Sequence, residues 1–188
     1  MAQTDGEFWS QAWLDAFLPY TTPADLKRAA AASRRNTFSA WKTAGEGLLG
    51  KHSTKSLLTH VSLRYSRYQQ GKSYEAFLDE LASRPDLVGP ILNGMLPQGV
   101  ADLCRRHKVE FIPKAASSFV VSCACREGSK KRFCSHMNML VQWMADQIRS
   151  NPVLLFELRG IDLIAGLAER GIRHVPVKRP TPTDVAAG

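Results

Sequence analysis

The chain reads as an α+β protein: a small antiparallel sheet with several helices, plus a strand–loop–helix unit that gathers three of the four cysteines. Three observations predict it. Capped runs with apolar residues at helical spacing flank a middle segment. That segment, between Thr37 and Leu63, is short-runned, alternating and broken by glycine, which is the pattern of strands. Finally, the strand formers Phe119-Val120-Val121 lead into Cys123-x-Cys125, and Cys134-x-His136 opens a run that reads as helix. With 188 residues and 44% hydrophobic content there is room for one good-sized domain core. The chain divides into 1–85, N-terminal helices and a small basic sheet region; 86–172, the cysteine-bearing region with flanking helices; and 173–188, a flexible tail.

The elements follow in order. Thr4-x-x-Glu7 is a capping box ahead of a first helix through Phe17, with Trp9, Trp13, Ala16 and Phe17 on one face. Pro19 ends it. Thr22 caps a second helix with Pro23 at its first position, running to about Arg35. Strands are expected over Thr37–Lys42, Gly45–Lys51 and Ser56–Leu63. Ser73 caps a helix over Tyr74–Ala82, and shorter helices span Leu87–Leu92 and Gly99–His107. Val109–Ile112 and Ser118–Cys123 read as two more strands. The helix after Cys134 is followed by another that Asn151 caps, with Pro152 at its first position. Gly160 and Gly171 act as stops, and the proline- and alanine-rich stretch from Arg173 onward is the tail.

The cysteine pattern carries the most chemistry. Cys123 and Cys125 on an extended segment can supply two ligands to one metal, and Cys134 and His136 two more from a turn into a helix. Three thiolates and an imidazole are a tetrahedral zinc set. Read instead as buried thiols or a disulfide, Cys-x-Cys makes a poor bridge, one cysteine is left over and the histidine has no role. All four positions are filled by protein, so such a zinc is structural; a catalytic zinc keeps one position for water. Cys104, beside Val100 and Leu103, reads as a buried inert thiol. His52 and His60 read as polar surface residues of the sheet, and His107 and His174 lie among basic residues.

Cys-x-Cys…Cys-x-His resembles the SWIM zinc finger of bacterial proteins. Asn151-Pro152-Val153-Leu154-Leu155-Phe156-Glu157-Leu158-Arg159-Gly160 is similar to a segment found after the finger in that family. Ile91-Leu92-Asn93-Gly94-Met95-Leu96-Pro97 and Phe111-Ile112-Pro113 resemble its upstream stretches. The likeness covers about residues 86–165, with a fainter echo at Trp9–Phe17. After the second cysteine this chain has Arg126-Glu127-Gly128 where the family often has a Pro-Asp-Trp-like run, and its loop is longer and more basic. The resemblance implies a SWIM finger with structural Zn2+. It also implies an accessory role to a helicase, transposase or recombinase-type complex, either through nucleic acid or as a protein–protein adaptor whose finger docks a partner.

Charge placement favours the first of these. Residues 26–72 hold ten lysines and arginines against one acid, Glu46, within a net charge of +8. A polyanion, DNA before RNA, is the partner this predicts. Two clusters are candidate contacts. Arg64, Tyr65, Arg67 and Tyr68 interleave cations with aromatics for phosphate and base stacking. Arg126, Lys130, Lys131 and Arg132 lie in the zinc loop. Trp143-Met144 and the N-terminal tryptophans are candidate protein-docking surfaces, although core packing explains the tryptophans more simply. No nucleophile–base pair, phosphate-binding glycine loop or His-Glu-x-x-His is present, so no enzyme and no small-molecule substrate is expected. No stretch suits a membrane span or signal peptide, and a cytoplasmic, nucleoid-associated setting is expected.

Overall fold

The N-terminal caps form as their residues dictate. In the computed structural model, which describes residues 3–35, 37–43, 47–55, 58–65, 71–112, 118–125 and 133–172, the Thr4 hydroxyl accepts from the Glu7 N–H, and the Glu7 carboxylate accepts from the Thr4 N–H at 2.9 Å. This starts α1 (Asp5–Phe17). Trp9, Trp13 and Phe17 recur every fourth residue on its buried face. Each indole N–H finds a carbonyl, Trp9 on Leu96 at 2.6 Å and Trp13 on Val141 at 2.9 Å. A short 3-10 turn, Leu18–Tyr20, holds Pro19, and Thr22 caps α2 (Pro23–Ser33) by accepting from the Asp25 N–H.

Four strands follow the alternation: β1 (Phe38–Thr43), β2 (Gly47–Ser53), β3 (Leu58–Tyr65) and, much later, β4 (Phe119–Cys123). They form one sheet in the order β1-β2-β3-β4, every neighbour antiparallel. Thr59, Val61, Leu63 and Tyr65 of β3 point inward, and Leu58, His60 and Arg64 point out. The remaining helices are α3 (Lys72–Ala82), α4 (Pro85–Leu92), α5 (Gly99–Arg106), α6 (Ser135–Ser150), α7 (Leu154–Glu157) and α8 (Leu163–Glu169). Among the described residues this makes eight α-helices and four strands, an α+β fold.

Helix α6 is the centrepiece. It packs against α1, α2 and the inner face of the sheet, and its close approach needs two glycines. A Cβ on Gly50 would lie 2.8 Å from Val61 Cγ1 and 3.2 Å from Leu140 Cδ1, and a Cβ on Gly6 would lie 2.1 Å from the Arg149 carbonyl oxygen. One hydrophobic cluster runs from Trp9 in α1 through the sheet to Leu167 in α8. The sheet likewise takes β1–β3 from before residue 85 and β4 from after it. Polar contacts tie the helical edge together: Arg170 pairs with Glu75 and Asp79, Glu80 pairs with Arg106, and the Glu80 carboxylate lies 2.6 Å from Nε2 of His107.

Several expected details differ. Val109–Ile112 is not a strand. Its alternation is real, because Val109 and Phe111 are buried and Glu110 is exposed, but the chain reaches it through Lys108 in the left-handed region and no strand lies beside it among the described residues. Phe111 instead stacks on Phe156 at 4.4 Å. Helix α3 begins one residue ahead of Ser73, after Gly71, with no side-chain cap. Asn151 is not a helix cap either: Pro152 and Val153 form a turn and α7 starts at Leu154. Gly160 and Gly171 do take positive φ, 71° and 82°, where they stop the chain. The expected tail, 173–188, lies outside the described residues. Among those residues no helix is long and apolar enough to cross a membrane.

Candidate metal centre

Sheet register and a helix start assemble the site. Cys123 ends β4, paired with Val61 of β3, and the Ala124 N–H donates to the His60 carbonyl at 3.0 Å, so the chain bends toward Cys125 only after leaving the ladder. Phe133 re-enters the fold by donating its N–H to the Tyr20 carbonyl at 2.9 Å and packing its ring on Tyr20 and Phe17. That anchor sets Cys134 as the N-cap residue of α6 and places His136 in the first turn. The ligand atoms of Cys123, Cys125, Cys134 and His136 lie within 4.8 Å of one another. In a tetrahedral site with metal–sulfur bonds of about 2.3 Å such atoms sit roughly 3.8 Å apart, a difference that small side-chain rotations cover.

The four residues could therefore hold a metal ion, and the donor set fits zinc. Their electrostatics agree. Burial pushes the Cys123 thiol up to about 12 and raises Cys134 as well. A reactive cysteine has its thiolate favoured, and these two have it disfavoured; a bound divalent cation is what turns such thiols into thiolates. All four cysteines are free of disulfides. Cys104 is buried, its thiol raised by burial, as expected of an inert side chain.

One neighbour was not legible as part of the site. His52, read as a surface residue, sits on β2 with its Nδ1 3.1 Å from Nε2 of His136. Metal-bound histidines commonly place their second ring nitrogen on such an outer partner, which fixes tautomer and ring orientation. The 84 residues between the two are bridged only by the sheet and by α6 packing on it, so no local motif signals the pair. The available clue was parity: His52 shares its strand face with Leu48 and Gly50, the face that meets α6.

The proposed nucleic-acid contacts divide. Arg64 is exposed on the outer face of β3. Tyr65 is not available for stacking: it is 7% exposed, faces inward and packs on Trp13 at 5.8 Å. Burial drives its hydroxyl well above its ordinary range, against the opposing charge of Arg159. Strand parity decides this, because adjacent residues point to opposite sides. Arg67, Tyr68, Arg126, Lys130, Lys131 and Arg132 lie outside the described residues. Of the candidate docking residues, Met144, Trp9 and Trp13 are core, and Trp143 is half-buried against it.

Compared with known families, curated proteins and solved structures, the chain matches none.

Proposed function

We propose that this chain is a non-catalytic, zinc-stabilised protein of the SWIM type that binds single-stranded nucleic acid, DNA in the first instance. Cys123, Cys125, Cys134 and His136 would hold the zinc, with Nε2 of His136 turned to His52 and Nδ1 to the metal. Zinc would supply structure: it ties the end of β4 to the start of α6 and so fixes the edge of the sheet.

The observation that carries the reading is the outer face of the sheet. Trp41 is 45% exposed there and lines a shallow depression of about 280 Å³ with Leu49, His60 and Ser62. Lys51 lies directly across from His60, and Arg64 stands further along β3, all exposed. None of the four strands contains an aspartate or glutamate. An exposed aromatic among cations, on strands that carry no carboxylate, suits how single strands are held without sequence preference: bases stack and the backbone is neutralised.

A low-salt titration with single-stranded DNA, RNA and duplex tests this. Binding should favour single strands, and its logarithm should fall linearly with the logarithm of salt concentration. Reversing Lys51 and Arg64 to glutamate should weaken it for all sequences alike and flatten the slope by about 0.7 for each phosphate that is no longer neutralised. No binding to any of the three polymers would overturn the reading.

A further inference from the structure

Between α2 and the first turn of α6, with Thr37 and His52 at one side, lies a cavity of about 550 Å³, within the size range of small-molecule sites. Its walls are apolar where Ala29 and Ala32 of α2 face Phe133 and Met139. Arg28 and Arg35 stand exposed at its rim. Asp25 also lines it, with its carboxylate bound to Arg28 and accepting from the Thr22 hydroxyl at 2.7 Å.

Asn138 singles this cavity out. It is a wall residue only 3% exposed, and its Oδ1 accepts no hydrogen bond from any described residue. A buried amide without its partner is costly, and folded proteins keep few of them. Rotation about χ2, which is broad and roughly two-fold for asparagine, exchanges amide oxygen and nitrogen at the wall. The amide atom at the wall can therefore serve a ligand edge as a donor or as an acceptor. Nucleobase edges present groups of both kinds, so a single amide atom at the wall can meet one of them. Two arginines beyond the apolar walls suit a phosphate.

We propose that this cavity binds one nucleotide, its base between the apolar walls with an edge on Asn138 and its phosphate at Arg28 and Arg35. The nucleotide is either free or one unit of a bound strand; only in the second case does the inference rest on the nucleic-acid reading above. Cys134 lies in the cavity wall, so the candidate metal centre borders the site.

The test uses the metal-loaded full chain, with labelled oligo-dA and oligo-dT followed by anisotropy and nucleoside monophosphates followed by calorimetry. Two variants accompany it. Asn138→Leu keeps the side-chain size and removes the amide; Ala32→Phe fills the cavity from the half-exposed side of α2 and decides the matter should the first variant not fold. Each should weaken binding by about tenfold or more, the loss of a buried hydrogen bond or of the space itself. The salt slope should not change, because neither variant removes a cation. If the native chain binds oligonucleotides and both variants bind them equally well, the cavity inference is overturned and the nucleic-acid reading stands. If the chain binds monophosphates in an Asn138-dependent way but no oligonucleotide, the cavity stands and the strand reading fails. Binding of neither probe overturns both.

Discussion

Replacing Cys134 by serine separates the metal from the helix that it heads. Serine is a favoured N-cap residue, so α6 keeps its start while the centre loses one of its three thiolates. In small zinc domains the metal's roughly 10–16 kcal/mol is the folding free energy itself. Here α6 buries nine residues between Met137 and Ile148 against α1, α2 and the sheet, so it stays docked without the ion. The contribution is then a linkage term, about 4 kcal/mol at a thousandfold excess of free metal over its Kd. For a chain of this length each 1 kcal/mol moves Tm by about 2–4 °C, which gives a drop of roughly 8–16 °C. Metal analysis of the purified protein, calorimetry with and without chelator, and amide hydrogen exchange read the three consequences. We expect about one zinc in the native chain and little in Cys134→Ser. The chelated native protein should melt where the variant does. Lost exchange protection should be confined to the end of β4 and the first turn of α6, with the β1–β3 ladder intact. A variant that retains full zinc and an unchanged Tm would refute the ligand assignment. Global unfolding on chelation would refute the claim that the core stands without the metal.

Other expectations follow from individual side chains. His52→Ala should weaken zinc binding by about 10- to 100-fold in a chelator competition while leaving the far-ultraviolet spectrum unchanged, because it removes only the outer partner of His136. Trp41→Ala should cost about 1–3 kcal/mol of single-strand affinity without altering the salt slope, since stacking releases no counterions; an unchanged Kd would take the tryptophan out of the interface. Gly50→Ala should destabilise the fold by about 1–3 kcal/mol in urea titration, because its Cβ meets the packed side chains of Val61, Phe38 and Leu140. Changing Arg126, Lys130, Lys131 and Arg132 together to serine should leave zinc content intact, as cationic side chains are poor ligands, and should reduce the salt dependence of binding if the loop touches phosphate.

What was legible in the sequence was local chemistry. Thr4, Glu7 and Thr22 announce their caps because an N-cap depends on residues within one turn. Cys123, Cys125, Cys134 and His136 announce a metal because ligand type and spacing carry the geometry. The failures are of longer range. Val109–Ile112 has strand parity, but a strand needs a neighbour, and the neighbours of Phe111 are Trp9 and Phe156. Arg64 and Tyr65 read as one cluster until β3 splits them between solvent and core. Asn138 looked like one polar residue in a helical run; only packing of α2 across α6 reveals that it is buried and that a cavity adjoins it.

The candidate metal centre stands where the two proposed binding surfaces meet, and that placement would give a bound metal a purpose beyond stability. His60 lends its carbonyl to the bend after Cys123 while its side chain faces out beside Trp41 and Lys51. On the other side of the same strands, His52 touches His136 and lines the cavity with Cys134. An edge strand such as β4 has a partner on one side only and is the part of a sheet most free to fray. Pinning its end to the start of α6 holds the sheet's outer face and the cavity wall in one frame. Because the core is carried by α1, α6 and the apolar faces of the strands, the fold does not need that pin in order to exist. The proposed surfaces would need it in order to keep their shape. A protein that only required a stable core could do without the metal; one that presents a sheet edge and a cavity to a ligand gains from having it there.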